Sequence, residues 1–153
     1  MNIPVLRSDT SRPYTPRVSF FTRKFWTGLS EGRLLTTFCE DCGHLTFPPK
    51  AHCPSCWARQ VNWRDLRGQG RLYSYTINHV APRKLRDQAP YAVGIVDLDE
   101  DVRVFCRLLD EPTMDDIGSA IQMVAIIHAD GPLFAARLTS RISPSANFSV
   151  DIR

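Results

Sequence analysis

No stretch of this sequence is apolar for long enough to cross a bilayer, and no segment is of low complexity, so the membrane-spanning helical and fibrous classes fall away first. A strong excess of one charge is missing too: 19 Lys and Arg face 16 Asp and Glu, a formal net charge of +3. The imbalance is local. Residues 1–60 carry 8 basic against 4 acidic side chains and residues 61–153 carry 11 against 12, so the C-terminal part lacks the positive field that nucleic-acid backbones select. The first ten residues, Met1 to Thr10, have neither the apolar stretch nor the small-residue cleavage site of a secretory signal, and a cytoplasmic location is expected. Cysteine is scarce, five in 153 residues, but four of the five form two close pairs within 18 positions. In a reducing compartment that clustering points to metal ligation rather than to disulfides.

The pairs read Cys39-Glu40-Asp41-Cys42-Gly43 and, with ten residues between Cys42 and Cys53, Cys53-Pro54-Ser55-Cys56. A Cys-x-x-Cys knuckle wraps one turn of backbone about an ion, and two of them complete a tetrahedron of thiolates around a single zinc. Four thiolates leave no position for substrate or water. One structural zinc ion is therefore expected at Cys39, Cys42, Cys53 and Cys56, holding a segment too small to fold on an apolar core of its own. Iron in a rubredoxin-like setting is the chemical alternative. His44 and His52 flank the ligands and, with four cysteines in place, read as surface or supporting residues.

Around this constellation the chain divides into an extended arm over 1–18, an N-terminal helix and zinc ribbon over 19–66, a barrel over 67–140 and a tail over 141–153. The arm holds Pro4, Pro13 and Pro16 without periodicity, so order there depends on docking. From Ser19, Phe21, Phe25 and Leu29 recur at helical spacing, and Gly32 supplies a stop. With Trp26 this face is heavier than a zinc ribbon covers easily, and it packs either on the chain's own barrel or on a partner. Phe21, Phe25 and Trp26 are the candidate partner contacts. Beyond Gly68 and Gly70, β-forming runs at 72–80, 91–98, 102–109, 121–128 and 133–138 are separated by turn residues. In the third run Val102, Val104, Cys106 and Leu108 alternate with Arg103 and Arg107, the period of a half-buried strand. Five strands with a longer central connection suit a five-stranded OB-fold barrel, so the fold is mainly β with one short helix.

An ordered chain of motifs resembles one known family. Phe25-Trp26-x-x-Leu29, Gly32-Arg33-Leu34, the first knuckle, Phe47-Pro48-Pro49, the second knuckle, and Gly68-x-Gly70-x-Leu72-Tyr73-Ser74-Tyr75-Thr76 are followed by Pro90-Tyr91, Ile95-Val96-Asp97-Leu98 and Ile117-Gly118. Over residues 20–138 they are similar to the family once called domain of unknown function 35, acyl-CoA-associated proteins with an N-terminal helix, a rubredoxin-like zinc ribbon and an OB fold. The resemblance implies an accessory subunit of a thiolase-fold partner: a thiolase, acyltransferase or aldolase acting on acyl-CoA thioesters, with the chemistry on the partner chain. The tail after Arg137 lacks the family's common proline-aromatic ending, and the arm is long.

Catalysis by this chain alone finds little support. Cys106 stands mid-strand with no histidine nearby in sequence, and a reactive thiolate needs an electropositive, partly exposed setting. Asp97, Asp99, Glu100 and Asp101 surround a hairpin turn, where acidic residues serve local hydrogen bonding. His79 and His128 lie near strand ends and could line a channel. The cluster Arg83, Lys84 and Arg86 could meet the phosphates of CoA or remain a solvated loop. The competing class is a single-stranded nucleic-acid-binding module, since OB barrels and zinc ribbons serve there too and Tyr73 and Tyr75 could stack bases; the charge count weighs against it.

Overall fold

The structure, a computed structural model, describes residues 2–141. Nine strands and one α-helix occur among them: β1 (Val5–Arg7), α1 (Arg23–Ser30), β2 (Leu34–Cys39), β3 (Leu45–Thr46), β4 (Val61–Leu66), β5 (Gln69–Asn78), β6 (Tyr91–Leu98), β7 (Val102–Leu108), β8 (Ala120–His128) and β9 (Gly131–Leu138). Short 3-10 turns over Arg83–Gln88 and Met114–Asp116 occupy the polar connections. Beyond Arg141, the tail expected over 141–153 lies outside the described residues.

β2 is the centre of the ribbon, antiparallel to both β3 and β4. The five later strands run in the order β8-β5-β6-β7-β9, and pairing of β8 with β9 closes them into a barrel. Most of the circuit is antiparallel, but the β7–β9 seam is parallel and short, matching Arg107 with Ala135 and Leu108 with Ala136. Inward and outward positions on β7 follow the two-residue period: Val102, Val104, Cys106 and Leu108 are buried, while Arg103 is exposed and Arg107 half-buried.

β8 changes partner along its length. Its start, Ala120–Gln122, pairs with β5, and farther on Ala125, Ile126 and Ile127 pair in parallel with Val5, Leu6 and Arg7. Where β5 no longer reaches, the backbone of β8 would present unpaired amides and carbonyls, and the N-terminal arm supplies the missing partner. Leu6 then seals a small outer cluster with Val124, Ile126 and Ala135. The arm continues along the barrel through Ser8 N–H to Ile127 O (2.9 Å), Ala129 N–H to Thr10 O (3.2 Å) and an Arg12–Asp130 ion pair.

α1 starts where Ser19 and Thr22 exchange backbone-to-hydroxyl bonds of 2.9 and 3.1 Å. It ends in a Schellman motif, Arg33 N–H donating to Gly28 O (2.8 Å) and Gly32 N–H to Leu29 O (3.1 Å). Gly32 holds φ +76°, and a Cβ there would come within 2.8 Å of Val5 Cγ2, so both conformation and space require glycine. The helix lays Phe25 and Leu29 into one continuous core that takes Leu34, Leu35 and Leu66 from the ribbon and Val96, Val104 and Met123 from the barrel.

This packing corrects the expectation that Phe25 faces a partner. Phe25 is 3% exposed, with its ring edge-on to Phe47 at 5.8 Å and Phe134 at 6.0 Å. Trp26 is half-buried edge-on to Phe25, and Phe21 is half-buried against Trp63. The large exposed aromatic at this end is Phe20, 89% exposed, with the Arg23 guanidinium 5.9 Å from its ring.

Candidate metal centre and barrel cleft

The two knuckles have the same backbone. In the first, Gly43 N–H donates to Cys39 O (3.0 Å) and Cys39 N–H to His44 O (2.9 Å); in the second, Trp57 N–H donates to Cys53 O (3.0 Å) and Cys53 N–H to Ala58 O (2.9 Å). The residue after each second cysteine is left-handed, Gly43 at φ +74° and Trp57 at +63°. Two equivalent turns thus present two pairs of thiols to one point. The four Sγ atoms lie within 4.8 Å of one another, with Cys39 and Cys56 at 3.6 Å and Cys42 and Cys53 at 3.5 Å. A tetrahedron with metal–sulfur bonds of about 2.3 Å has edges of about 3.8 Å, so the four residues fit a zinc ion without rearrangement of the backbone. Burial opposes ionisation of Cys53, yet the amides of Cys56 and Ser55 together with the neighbouring Cys42 and Cys56 thiols outweigh it and bring the thiol down to about 7. Zinc bound by these residues would supply cross-linking rather than catalysis, because four sulfurs close its coordination. His44 and His52 are exposed, and the His52 ring stacks on Trp57 at 5.8 Å, away from ligand duty.

A second concave feature lies on the barrel, where β7 and β9 part beyond their short seam. A cleft of about 320 Å³ opens there between the outer wall of the barrel, the arm at Tyr14 and the 3-10 turn at Leu85 and Gln88. Phe105 and Arg107 reach it from β7, and Phe134 and Ala135 from β9. Cys106 lines its floor but is buried, and that burial pushes the thiol up to about 12. At neutral pH it is a protonated, poorly nucleophilic group. His128 is also buried, its Nδ1 lies 3.2 Å from Thr10 O, and desolvation holds it below the usual imidazole range. His79 is exposed beyond the end of β5.

Two acidic residues of the hairpin turn, Asp97 and Glu100, form ion pairs. Asp97 takes two bonds from Arg103 at 2.6 and 2.8 Å, and Glu100 accepts from the Arg67 backbone at 2.9 Å and its Nε at 3.2 Å. Arg103 also lies 3.9 Å from the Tyr73 ring, covering the face on which a base would stack. Arg83, Lys84 and Arg86 are exposed on the 3-10 turn at the rim of the cleft. The contribution of the arm to this cleft gives no signal in the sequence, because prolines and isolated polar residues carry no period. The outward placement of Arg107, by contrast, follows from strand alternation.

Comparison with known proteins agrees with this anatomy. Residues 26–62 match the family model described as "ChsH2, rubredoxin-like zinc ribbon domain", and residues 63–126 match "ChsH2, C-terminal OB-fold domain". The chain is 34% identical over 107 residues to a "DUF35 domain-containing scaffold protein" of Methanothermobacter thermautotrophicus, covering 67% of this chain and 80% of that protein. It is 33% identical over 100 residues to the "benzoylsuccinyl-CoA thiolase subunit BbsA" of Thauera aromatica, covering 63% and 68% of the two chains. Among solved structures, a chain of the "Ltp2-ChsH2(DUF35) aldolase" superposes with a TM-score of 0.68 at 26% identity, over 81% of this chain and 98% of the other. Both halves of the chain, the four-cysteine ribbon and the closed five-stranded barrel, thus match in order, and the protein belongs to the DUF35 family of ChsH2-type zinc-ribbon and OB-fold proteins.

Proposed function

We propose that this chain is the non-catalytic subunit of a hetero-oligomeric enzyme whose thiolase-fold partner acts on acyl-CoA thioesters, and that its ribbon holds one structural zinc ion. The observation that carries the reading is the match of ribbon and barrel to proteins named as a thiolase subunit and as part of an aldolase. The chemistry of this chain supports it. The four thiolates would close the metal's coordination, and Cys106 and His128 are buried with no nucleophile–base pair formed between them. Helix and ribbon, residues 19–66, are the partner-facing unit, and the barrel, residues 67–140, is the ligand-facing one. At the helix the contact passes from Phe25, which is interior, to Phe20 with the partly exposed Phe21 and Trp26. Arg83, Lys84 and Arg86, exposed on the 3-10 turn, would be the residues to meet the phosphate oxygens of CoA.

Affinity purification of the tagged protein from its native host, with mass identification of stoichiometric partners and an acyl-CoA cleavage assay, tests the reading. A thiolase-fold partner with activity in the complex is the expected result. Stoichiometric nucleic acid, or no partner, overturns it.

A further inference from the structure

We propose that the cleft beside the β7–β9 seam is a binding site for a small aromatic or bicyclic carboxylic acid, its carboxylate held by Arg107. This inference does not rest on the accessory-subunit reading. It starts from an arginine whose side chain is set up for an anion that the chain does not provide.

Two other arginines on this chain show what the fold does with a guanidinium. Arg33 and Arg103 each present the edge formed by Nε and Nη2 to one carboxylate, Asp65 and Asp97, in two bonds of 2.6 to 2.9 Å. Arg107 breaks the pattern. Its Nη1 donates to Gln88 Oε1, its ring neighbour is Tyr91 at 5.3 Å, its Nε is buried without a hydrogen-bond partner, and no carboxylate pairs with it among the described residues. A half-buried cation loses hydration that the Gln88 bond and the Tyr91 ring replace only in part, since Nε has no partner, and desolvation lowers its pKa. An incoming carboxylate restores the missing two-bond contact, with Gln88 already fixing the opposite edge of the guanidinium.

The rest of the cleft selects the body of the ligand. Its walls are mostly apolar, with Leu85, Val93, Phe105, Leu109 and Phe134 facing the space. An apolar cavity of about 150 Å³ accommodates benzene, so about 320 Å³ suits a fused two-ring system or a ring with a short chain. The arm closes one side through Tyr14, and the arm itself is fastened by the Arg12–Asp130 pair. One cation among mostly apolar walls describes an aryl carboxylate rather than a sugar, a nucleotide or a metal ion.

Calorimetric titration of the full-length, zinc-loaded protein with 2-naphthoate tests this, with 2-naphthylmethanol as a neutral probe of the same body. Saturable 1:1 binding is expected, with naphthoate at least tenfold tighter than the alcohol. Arg107→Met should lower naphthoate affinity at least tenfold and alter alcohol binding less than twofold. Val93→Trp, which fills the cleft, should abolish binding of both while thermal melting remains cooperative. Absence of saturable binding overturns the proposal, as does equal affinity of the wild type for the two probes or undiminished naphthoate binding by Val93→Trp. The last two readouts decide the matter even if Arg107→Met does not fold.

Discussion

The two ends of the ribbon are stabilised by different chemistry, although they lie on the same strand. At the barrel-facing end of β2, Leu34 and Leu35 are buried in the main core beside Leu66, and hydrophobic transfer holds them. At the far end Cys39 is buried among thiols, and between the ends lie Thr36 and Thr37, also buried but polar. Both hydroxyls are committed: Thr36 Oγ1 donates to Thr46 O, and Thr37 Oγ1 accepts from Lys50 N–H at 3.1 Å. The change from leucine through threonine to cysteine along six residues marks where apolar packing ends and metal ligation takes over. The barrel needs no such device, because its closed sheet buries aliphatic side chains from five strands around one centre.

The largest expected effect therefore comes from breaking the metal end. In isolated zinc-finger peptides the metal contributes on the order of 10–16 kcal/mol. Here the Leu34 end remains anchored, so the loss should be confined to the distal ribbon. Cys39→Ser should bind less than one zinc per chain, and amide hydrogen exchange should quicken at residues 39–60 while the barrel strands keep their protection. Full zinc content with unchanged melting would contradict a structural metal. Loss of protection throughout the barrel would contradict the division between the two ends.

The next effect comes from the apolar end. Phe25→Ala removes a ring that touches Phe47 and Phe134 and is buried from solvent. Such truncations cost about 3–5 kcal/mol. Denaturant unfolding should show that loss with zinc content intact, the reverse of the Cys39→Ser result. A loss under about 1 kcal/mol would mean that the aromatic cluster is not a cooperative part of the core.

How far these features are legible in the sequence depends on the range of the interactions that create them. The metal ligands are plain because a knuckle is local: four residues fix their own geometry, and ten more bring the second pair round. The barrel strands are plain for a similar reason, since alternation such as Val102, Val104, Cys106 and Leu108 is written into adjacent positions. Phe25 is different. Its spacing identifies the apolar face of a helix, but the cover for that face is Phe134, more than a hundred residues away. A helical period shows that a face must be covered and not by which surface. β1 is more obscure still: three residues are too few to establish a period, and their partners, Ala125 to Ile127, become available only because β5 begins at Gln69, opposite Gln122, and does not extend along the rest of β8. The cleft combines both difficulties, as its walls come from the arm, a 3-10 turn and all five barrel strands.

The smallest effect separates the two knuckles themselves. Their hydrogen bonds match position by position, but the left-handed residue is Gly43 in one and Trp57 in the other. For a residue with a Cβ that conformation costs roughly 1–2 kcal/mol, and Trp57 recovers little of it by burial, being 74% exposed with its ring stacked on His52. Trp57→Gly relieves the backbone, while glycine's greater freedom in the unfolded chain takes back about 0.5–1 kcal/mol. The net shift in stability should stay within about 1 kcal/mol, with zinc content unchanged and the two knuckles brought to the same local geometry. Chemical denaturation followed alongside metal content measures it. A loss well beyond 1 kcal/mol would show that the Trp57–His52 stack supports the second knuckle in a way the first knuckle does without, and would make the two turns equivalent in backbone only.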